Sequence, residues 1–223
     1  MLMHVLQSDY ILKTLELPTI EWKEYYPDAV LDENLLWSVK TEKIPGKSHE
    51  DTELVKKKRA LFQFIKDRRC LKKKQRNSLL GVDSKTAKAF AEKLKKQVNT
   101  KTHAIVYYPY YTVVKSGIID INRERIVIEG TKGDVSNLTT HNYVEVTMIF
   151  KSDDLEIMGD ETFFTKEETI PLIDYGKEIK KMATRDLELN KNLQLYFSYV
   201  YKTNIVLKLE GEIRLIFHKF KIF

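Results

Sequence analysis

Apolar positions follow two different rhythms along the chain. Between residues 52 and 98 they recur at helical spacing. Leu54, Leu61 and Ile65, widened by Phe62, predict a helix over 52–70. Ala87, Phe90, Ala91, Leu94 and Val98 predict a second helix, N-capped by Asp83 or Ser84 just after Gly81. Residues 71–80 between them show little periodicity and read as a loop or a helix extension. From His103 onward β-branched and aromatic residues dominate, and strands are expected at 103–108, 112–114, 118–121, 125–129 and 143–150. Asn122-Arg123 reads as a tight hairpin. Thr165 and Glu168 have capping-box spacing and open a helix whose Ile170, Ile173, Ile179 and Met182 are expected to face a core. Pro171 falls in its first turns. Strands return at 193–201, 205–209 and 213–220.

Residues 1–35 are mixed. Pro18 and Pro27 interrupt them, and Trp22, Tyr25 and Tyr26 form an aromatic group. Leu36, Trp37 and Val39 predict a short strand over 35–41. Residues 44–48 read as a loop that lacks the paired glycines of a phosphate-binding P-loop. The pattern is α+β: a mixed N-terminal region with two basic helices over 1–102, and a mainly antiparallel β-rich region over 103–223.

Charge sharpens that division. The net charge of +6 is the difference between two unequal parts. Residues 56–76 hold eleven bases (Lys56, Lys57, Lys58, Arg59, Lys66, Arg68, Arg69, Lys72, Lys73, Lys74 and Arg76) and one acid, Asp67, for +10. Residues 56–101 together carry +14, so the rest of the chain carries −8. Like charges packed this densely repel one another, and an anionic partner offsets the repulsion. A solvated face of two amphipathic helices is the alternative reading of the same residues.

Composition removes several classes. An apolar fraction of 43% is ordinary for a globular chain. No uninterrupted apolar run of membrane-spanning length is present. The first ten residues lack a basic leader followed by an apolar run, so no secretory signal is expected there. One cysteine, Cys70, rules out an intrachain disulfide framework and a multi-cysteine zinc site. The expected compartment is a reducing cytoplasm.

Conventional catalytic motifs are missing. The five histidines, His4, His49, His103, His141 and His218, show no metal-ligand spacing, and there is no H-E-x-x-H, C-x-x-C or G-x-S-x-G. His141 reads as a loop histidine. The acidic pairs Asp153-Asp154 and Asp160-Glu161 read as solvated turns. Tyr107, Tyr108, Tyr110 and Tyr111 around Pro109 read either as a buried strand edge or as a base-stacking surface.

Two runs carry a resemblance. Ser116-Gly117-Ile118-Ile119-Asp120, followed by Ile126-Val127-Ile128-Glu129-Gly130-Thr131-Lys132-Gly133-Asp134, resembles the ATP-binding domain of phosphoenolpyruvate synthase and pyruvate phosphate dikinase. Ala104-Ile105-Val106-Tyr107-Tyr108 stands at the preceding strand and Phe164-Thr165-Lys166-Glu167-Glu168 at the helix start. Residues 193–199 and 212–219 stand at the last two strands, and Trp37-Ser38-Val39-Lys40-Thr41 at an earlier one. The resemblance implies an ATP-grasp fold and Mg-ATP as cofactor, with Lys40, Glu129 and Lys132 as nucleotide-binding residues. It also implies that Gln194, Tyr196 and His218 stand where the family has metal carboxylates and a glutamine. Tyrosine and histidine do not replace carboxylates around magnesium. Lys40 stands where the family has an arginine, and a point charge replaces a bidentate fork.

Two functions follow from these residues. The first is a non-catalytic protein, without a cofactor, that contacts RNA, DNA or a ribonucleoprotein through Lys56, Lys57, Lys58, Arg59, Arg68, Arg69, Lys72, Lys73, Lys74 and Arg76. The second is a nucleotide-binding phosphotransfer protein that uses Lys40, Glu129 and Lys132. No membrane partner is expected, and protein partners stay open.

Overall fold

The computed structural model describes residues 12–43, 78–99, 103–152, 154–184, 192–206 and 210–222. The helix expected over 52–70 and the loop over 44–48 lie outside the described residues, as do all ten residues of the expected nucleic-acid contact. The fold is α+β, with two antiparallel sheets of four and six strands and a few helices. The chain divides into two units. The first is built mainly from Ile20–Thr112 and Val200–Arg214, the second from Ile11–Thr19, Val113–Tyr199 and Leu215–Phe223.

In the first unit, β1 (Lys23–Glu24), β2 (Trp37–Lys43), β3 (Ser78–Val82) and β4 (His103–Pro109) pair in the order β1-β4-β2-β3. Helix α1 (Ser84–Gln97) packs on this sheet. Its start is set by Asp83, whose carboxylate accepts from the Thr86 N–H at 2.8 Å. Ala87, Ala91 and Leu94, at helical spacing, bury against Trp37, Val39, Ile105 and Tyr107. Tyr25 and Trp37 both meet Tyr107 edge to face, with ring centroids 6.3 and 5.5 Å away. The tyrosine-rich segment therefore supplies core at Tyr107, while Tyr108, Tyr110 and Tyr111 are half-buried.

The second unit holds β5 (Tyr111–Ile121), β6 (Arg125–Lys132), β7 (Val146–Lys151), β8 (Asp154–Gly159), β9 (Leu193–Lys202) and β10 (Glu210–Ile222), in the order β10-β9-β5-β6-β7-β8. Between β6 and β7 lies a single helical turn, α2 (Ser136–Thr139). Helix α3 (Lys166–Met182) begins at Thr165, where both bonds of the capping box form. It buries Leu172 and Ile179. Gly176 brings the helix within van der Waals reach of Ile119 and Ile126. Phe163, Phe164, Phe197, Tyr199 and Phe217 extend this core as a chain of tilted and edge-on ring contacts. Pro171 lies in the second turn of α3, where it has no N–H to give the Glu167 carbonyl. The Tyr199 hydroxyl donates to the adjacent carbonyl, that of Glu168.

Several expectations are corrected. Residues 78–80 are not loop but the start of β3, because pairing with β2 (Val39 opposite Leu79, Trp37 opposite Val82) satisfies a backbone whose side chains are weakly patterned. The segments 112–114 and 118–121 are one continuous strand, β5, since Lys115, Ser116 and Gly117 pair with Lys132, Thr131 and Gly130. Asp154, expected in a solvated turn, is the first residue of strand β8, which is mostly exposed. Ile170 points to solvent at 46% exposure, and Leu172 takes the core position expected of it. Ile205 and Val206 form a turn, with Val206 77% exposed. Among the described residues, no helix is long and apolar enough to cross a membrane.

Candidate functional site

Two surfaces carry the candidate chemistry, one on each unit. In the first unit the sheet has a helix-covered face and an opposite face. Alternation along β2 puts Trp37 and Val39 toward α1 and Ser38, Lys40 and Glu42 on the other side. Lys40 is buried at 8% exposure, pairs with Glu42 at 3.4 Å and lies 5.1 Å from the centre of the Tyr108 ring. A buried lysine needs such compensation, because loss of hydration otherwise favours its neutral form.

The solvent face of α1 is basic. Lys85, Lys93, Lys95 and Lys96 are exposed and Lys88 is half-exposed. The helix's one acid, Glu92, accepts a hydrogen bond from the Tyr25 hydroxyl at 3.1 Å. Among the described residues, these lysines form no ion pair. The part of the +14 stretch that is described thus consists of strand β3 and a helix with its apolar side packed and its lysine side in water.

In the second unit, α3 covers one face of the six-stranded sheet. The other face carries a polar strip that crosses four strands. Glu129 stands opposite Ile118 in the β5–β6 register, and Asp120 lies two residues along β5 on that side. The Gln194 amide, on β9, donates to the Asp120 carboxylate at 3.1 Å, and the Tyr196 hydroxyl donates to the Gln194 carbonyl at 3.1 Å. On β10, Lys221 donates to the Tyr196 oxygen at 2.5 Å, and the Lys219 and Lys221 ammoniums lie 4.5 and 4.8 Å from the centre of the Tyr196 ring. Leu138 and Val135 pack beside Tyr196 and Ile118.

The strip is electrically graded. Burial raises the Asp120 carboxyl, while Gln194 and then Lys221 pull it back. Burial also raises Glu129, and the neighbouring Asp120 charge adds to the shift. At the other end burial lowers Lys219, and the charge of Lys221 lowers it further. Carboxylates therefore sit on β6 and β5, an amide and a phenol on β9, and two amines on β10.

Beside this strip, on the same face of the sheet, lies a hydroxyl chain. Ser116 and Ser198 share a hydrogen bond of 2.8 Å, and Ser198 meets His218 Nε2 at 3.1 Å. Burial pushes the His218 imidazole down to about 4, so it is neutral at physiological pH. Both serines are enclosed, which denies a substrate access to the Ser–His pair.

The expected nucleotide residues divide between the two units. Lys40 belongs to the first unit, and Glu129 and Lys132 to the second. Three positions apart on β6, Glu129 and Lys132 lie on opposite faces of the sheet. Gln194, Tyr196 and His218 do lie on the Glu129 face. With Asp120 they provide two carboxylates, an amide, a phenol and a half-buried imidazole, a poor oxygen set for magnesium. Among the described residues, no group of three or more His, Cys, Asp or Glu side chains is placed to hold a metal ion. Sequence reasoning missed Asp120, Lys219 and Lys221. Their signal is modest: polar residues at single-face positions within otherwise apolar strands. No protein-family model matches the chain, and no curated protein matches it.

Proposed function

We propose that the protein is a non-catalytic, cytoplasmic binding protein that contacts RNA, DNA or a ribonucleoprotein through its basic stretch, residues 56–101. The observation that supports this reading is the solvent face of α1, where Lys85, Lys88, Lys93, Lys95 and Lys96 lie outward without ion-pair partners among the described residues. Clustered ammonium groups on a rigid helix displace condensed counterions from a phosphate backbone, and the release of those ions drives binding without sequence preference. Lys56, Lys57, Lys58, Arg59, Arg68, Arg69, Lys72, Lys73, Lys74 and Arg76 extend the same charge in sequence. The test is the affinity of the full chain for a generic RNA across a salt series. Affinity falls steeply with salt and drops further when Lys72, Lys73 and Lys74 are changed to Glu. Flat salt dependence overturns the proposal.

A second reading, a nucleotide-binding scaffold akin to the ATP-grasp domain, draws on the polar face that joins Glu129 to Asp120, Gln194 and Tyr196. It predicts that millimolar Mg-ATP raises the melting temperature and that Glu129→Gln removes the rise. No shift counts against it.

A further inference from the structure

The six-stranded sheet ends at β8, and that edge is open in two respects. Its backbone is the first: among the described residues β8 pairs with β7 alone. The Asp160 N–H donates to the Glu145 carbonyl at 2.8 Å just beyond the strand. Antiparallel pairing alternates, so Asp154, Glu156 and Met158 turn their backbone groups to β7, and Leu155 and Ile157 turn theirs outward. The second is the apolar layer on the α3 side, which stops here. One row crosses the strands through Ile126, Phe150 and Leu155, another through Ile128, Met148 and Ile157. Exposure climbs along the first row from 3% at Ile126 to 50% at Leu155. The opposite face of β8 carries Glu156 and Met158, both exposed. Glu156 stands opposite Ile149 and makes no ion pair among the described residues. Residues 152–162 hold five acids, Asp153, Asp154, Glu156, Asp160 and Glu161, and no base.

We propose that β8 takes up an extended segment of a protein partner as a further strand, one in which apolar residues alternate with lysine or arginine. Leu155 and Ile157 offer outward N–H groups and carbonyls, which an antiparallel strand satisfies. The partner residues opposite them lie on the α3 side and extend both apolar rows. The residue between falls opposite Glu156 on the other face, where a cation pairs with the carboxylate. The same charge disfavours the simplest rival. A second copy of β8 paired antiparallel would set carboxylates beside carboxylates, and like charges across a strand pair destabilise it. A charge in the middle of an edge strand thus blocks indiscriminate pairing and selects a partner of opposite sign. These residues all belong to the second unit and owe nothing to the basic stretch.

The experiment titrates a fluorescent Lys-Val-Lys-Ile-Lys-Val peptide with the full chain, reads anisotropy, and follows amide hydrogen exchange by NMR in the same complex. The peptide binds and slows exchange at the Leu155 and Ile157 amides, while those of Glu156 and Met158, already bonded to β7, change little. The peptide N-methylated at valine and isoleucine keeps its charge, loses the N–H groups that face β8, and does not bind. Leu155→Pro removes one outward N–H, leaves the β7 ladder intact and abolishes binding. Glu156→Lys alters charge alone: it weakens binding roughly tenfold and improves binding of the peptide with Glu in place of Lys. Sedimentation of the free chain tests the rival. A dimer that Leu155→Pro dissociates gives the edge to a second copy and overturns the proposal. No binding at millimolar peptide, or binding that survives N-methylation or is indifferent to Glu156→Lys, overturns it as well.

Discussion

Gly117 and Gly130 stand directly opposite each other in the β5–β6 pairing, and neither has room for a methyl group. A Cβ on Gly117 would lie 2.2 Å from the Glu129 carbonyl oxygen and 2.4 Å from the Phe197 ring. One on Gly130 would lie 2.6 Å from the Phe164 ring. The two glycines let the Phe197 and Phe164 rings approach the strand backbone closely. Gly117→Ala is expected to destabilise the protein by about 3 kcal/mol, because a backbone oxygen cannot move aside. Gly130→Ala costs less, about 1–2 kcal/mol, since rings can shift where backbone cannot. Urea unfolding of the two variants checks both the size and the order.

Lys115 and Glu168 link the sheet to the start of α3. Their ion pair is 2.6 Å long, with side chains 20% and 11% exposed. Glu168 also accepts from the Thr165 N–H at 2.9 Å as the second half of the capping box. The ammonium sits 5.4 and 5.7 Å from the Phe163 and Phe164 ring centres. Glu168→Ala therefore removes a cap and leaves a mostly buried lysine without its anion. The expected loss is about 2–4 kcal/mol. Changing both residues, Lys115→Met with Glu168→Leu, is expected to recover at least half of it, which a double-mutant cycle measures directly.

These features were not equally visible in the sequence. Helix starts were legible at Asp83 and Thr165, because a cap is a local event and its partners lie three residues away. The apolar stripe of α1 was legible for the same reason. The continuity of β5 was not. Lys115, Ser116 and Gly117 look like a break until Lys132, Thr131 and Gly130 are placed opposite them, and that pairing is set by the sheet. Strand β8 and the start of β3 lack apolar alternation and exist through backbone pairing with their neighbours. Leu172 took the core place expected of Ile170 because Thr165 fixed where the helix begins while packing fixed how it turns. At the site, Glu129 was singled out by a family resemblance, whereas Asp120, Lys219 and Lys221 needed the strand order β10-β9-β5-β6 to become neighbours.

His218 gives stability a pH dependence of definite sign. Its folded pKa of about 4 lies below the unfolded value near 6.5. The unfolded chain thus binds more protons between these values, and stability falls as pH drops from about 6.5 toward 4. The full effect is on the order of 3 kcal/mol. Asp120 and Glu129 act the opposite way, because their raised folded pKa values stabilise the protein in acid and lose that contribution as pH rises. Subtracting the urea-unfolding free energies of His218→Gln from those of the wild type, at pH 7.5, 5.5 and 4.5, isolates the histidine. The difference is expected to shrink steadily toward acid. A constant difference would show that the folded protein does not disfavour the charged imidazole.

The lysines of α1 make a separate test of the nucleic-acid reading. Lys85, Lys93 and Lys96 are exposed and far round the helix from Ala87, Ala91 and Leu94, so changing them to Glu leaves the core untouched. Stability is expected to move by less than about 0.5 kcal/mol. Each lysine that contacts a phosphate of single-stranded RNA contributes roughly 0.7 to the slope of log K against log salt. Loss of all three contacts therefore flattens the slope by about 2. The effect is also sequence-independent: two unrelated RNAs of equal length lose affinity equally, because backbone contacts carry no base information. Fluorescence anisotropy at four salt concentrations measures slope and affinity together. An unchanged slope in this triple variant, alongside binding that Lys72→Glu, Lys73→Glu and Lys74→Glu together abolish, would confine the contact to residues 56–76 and remove α1 from it.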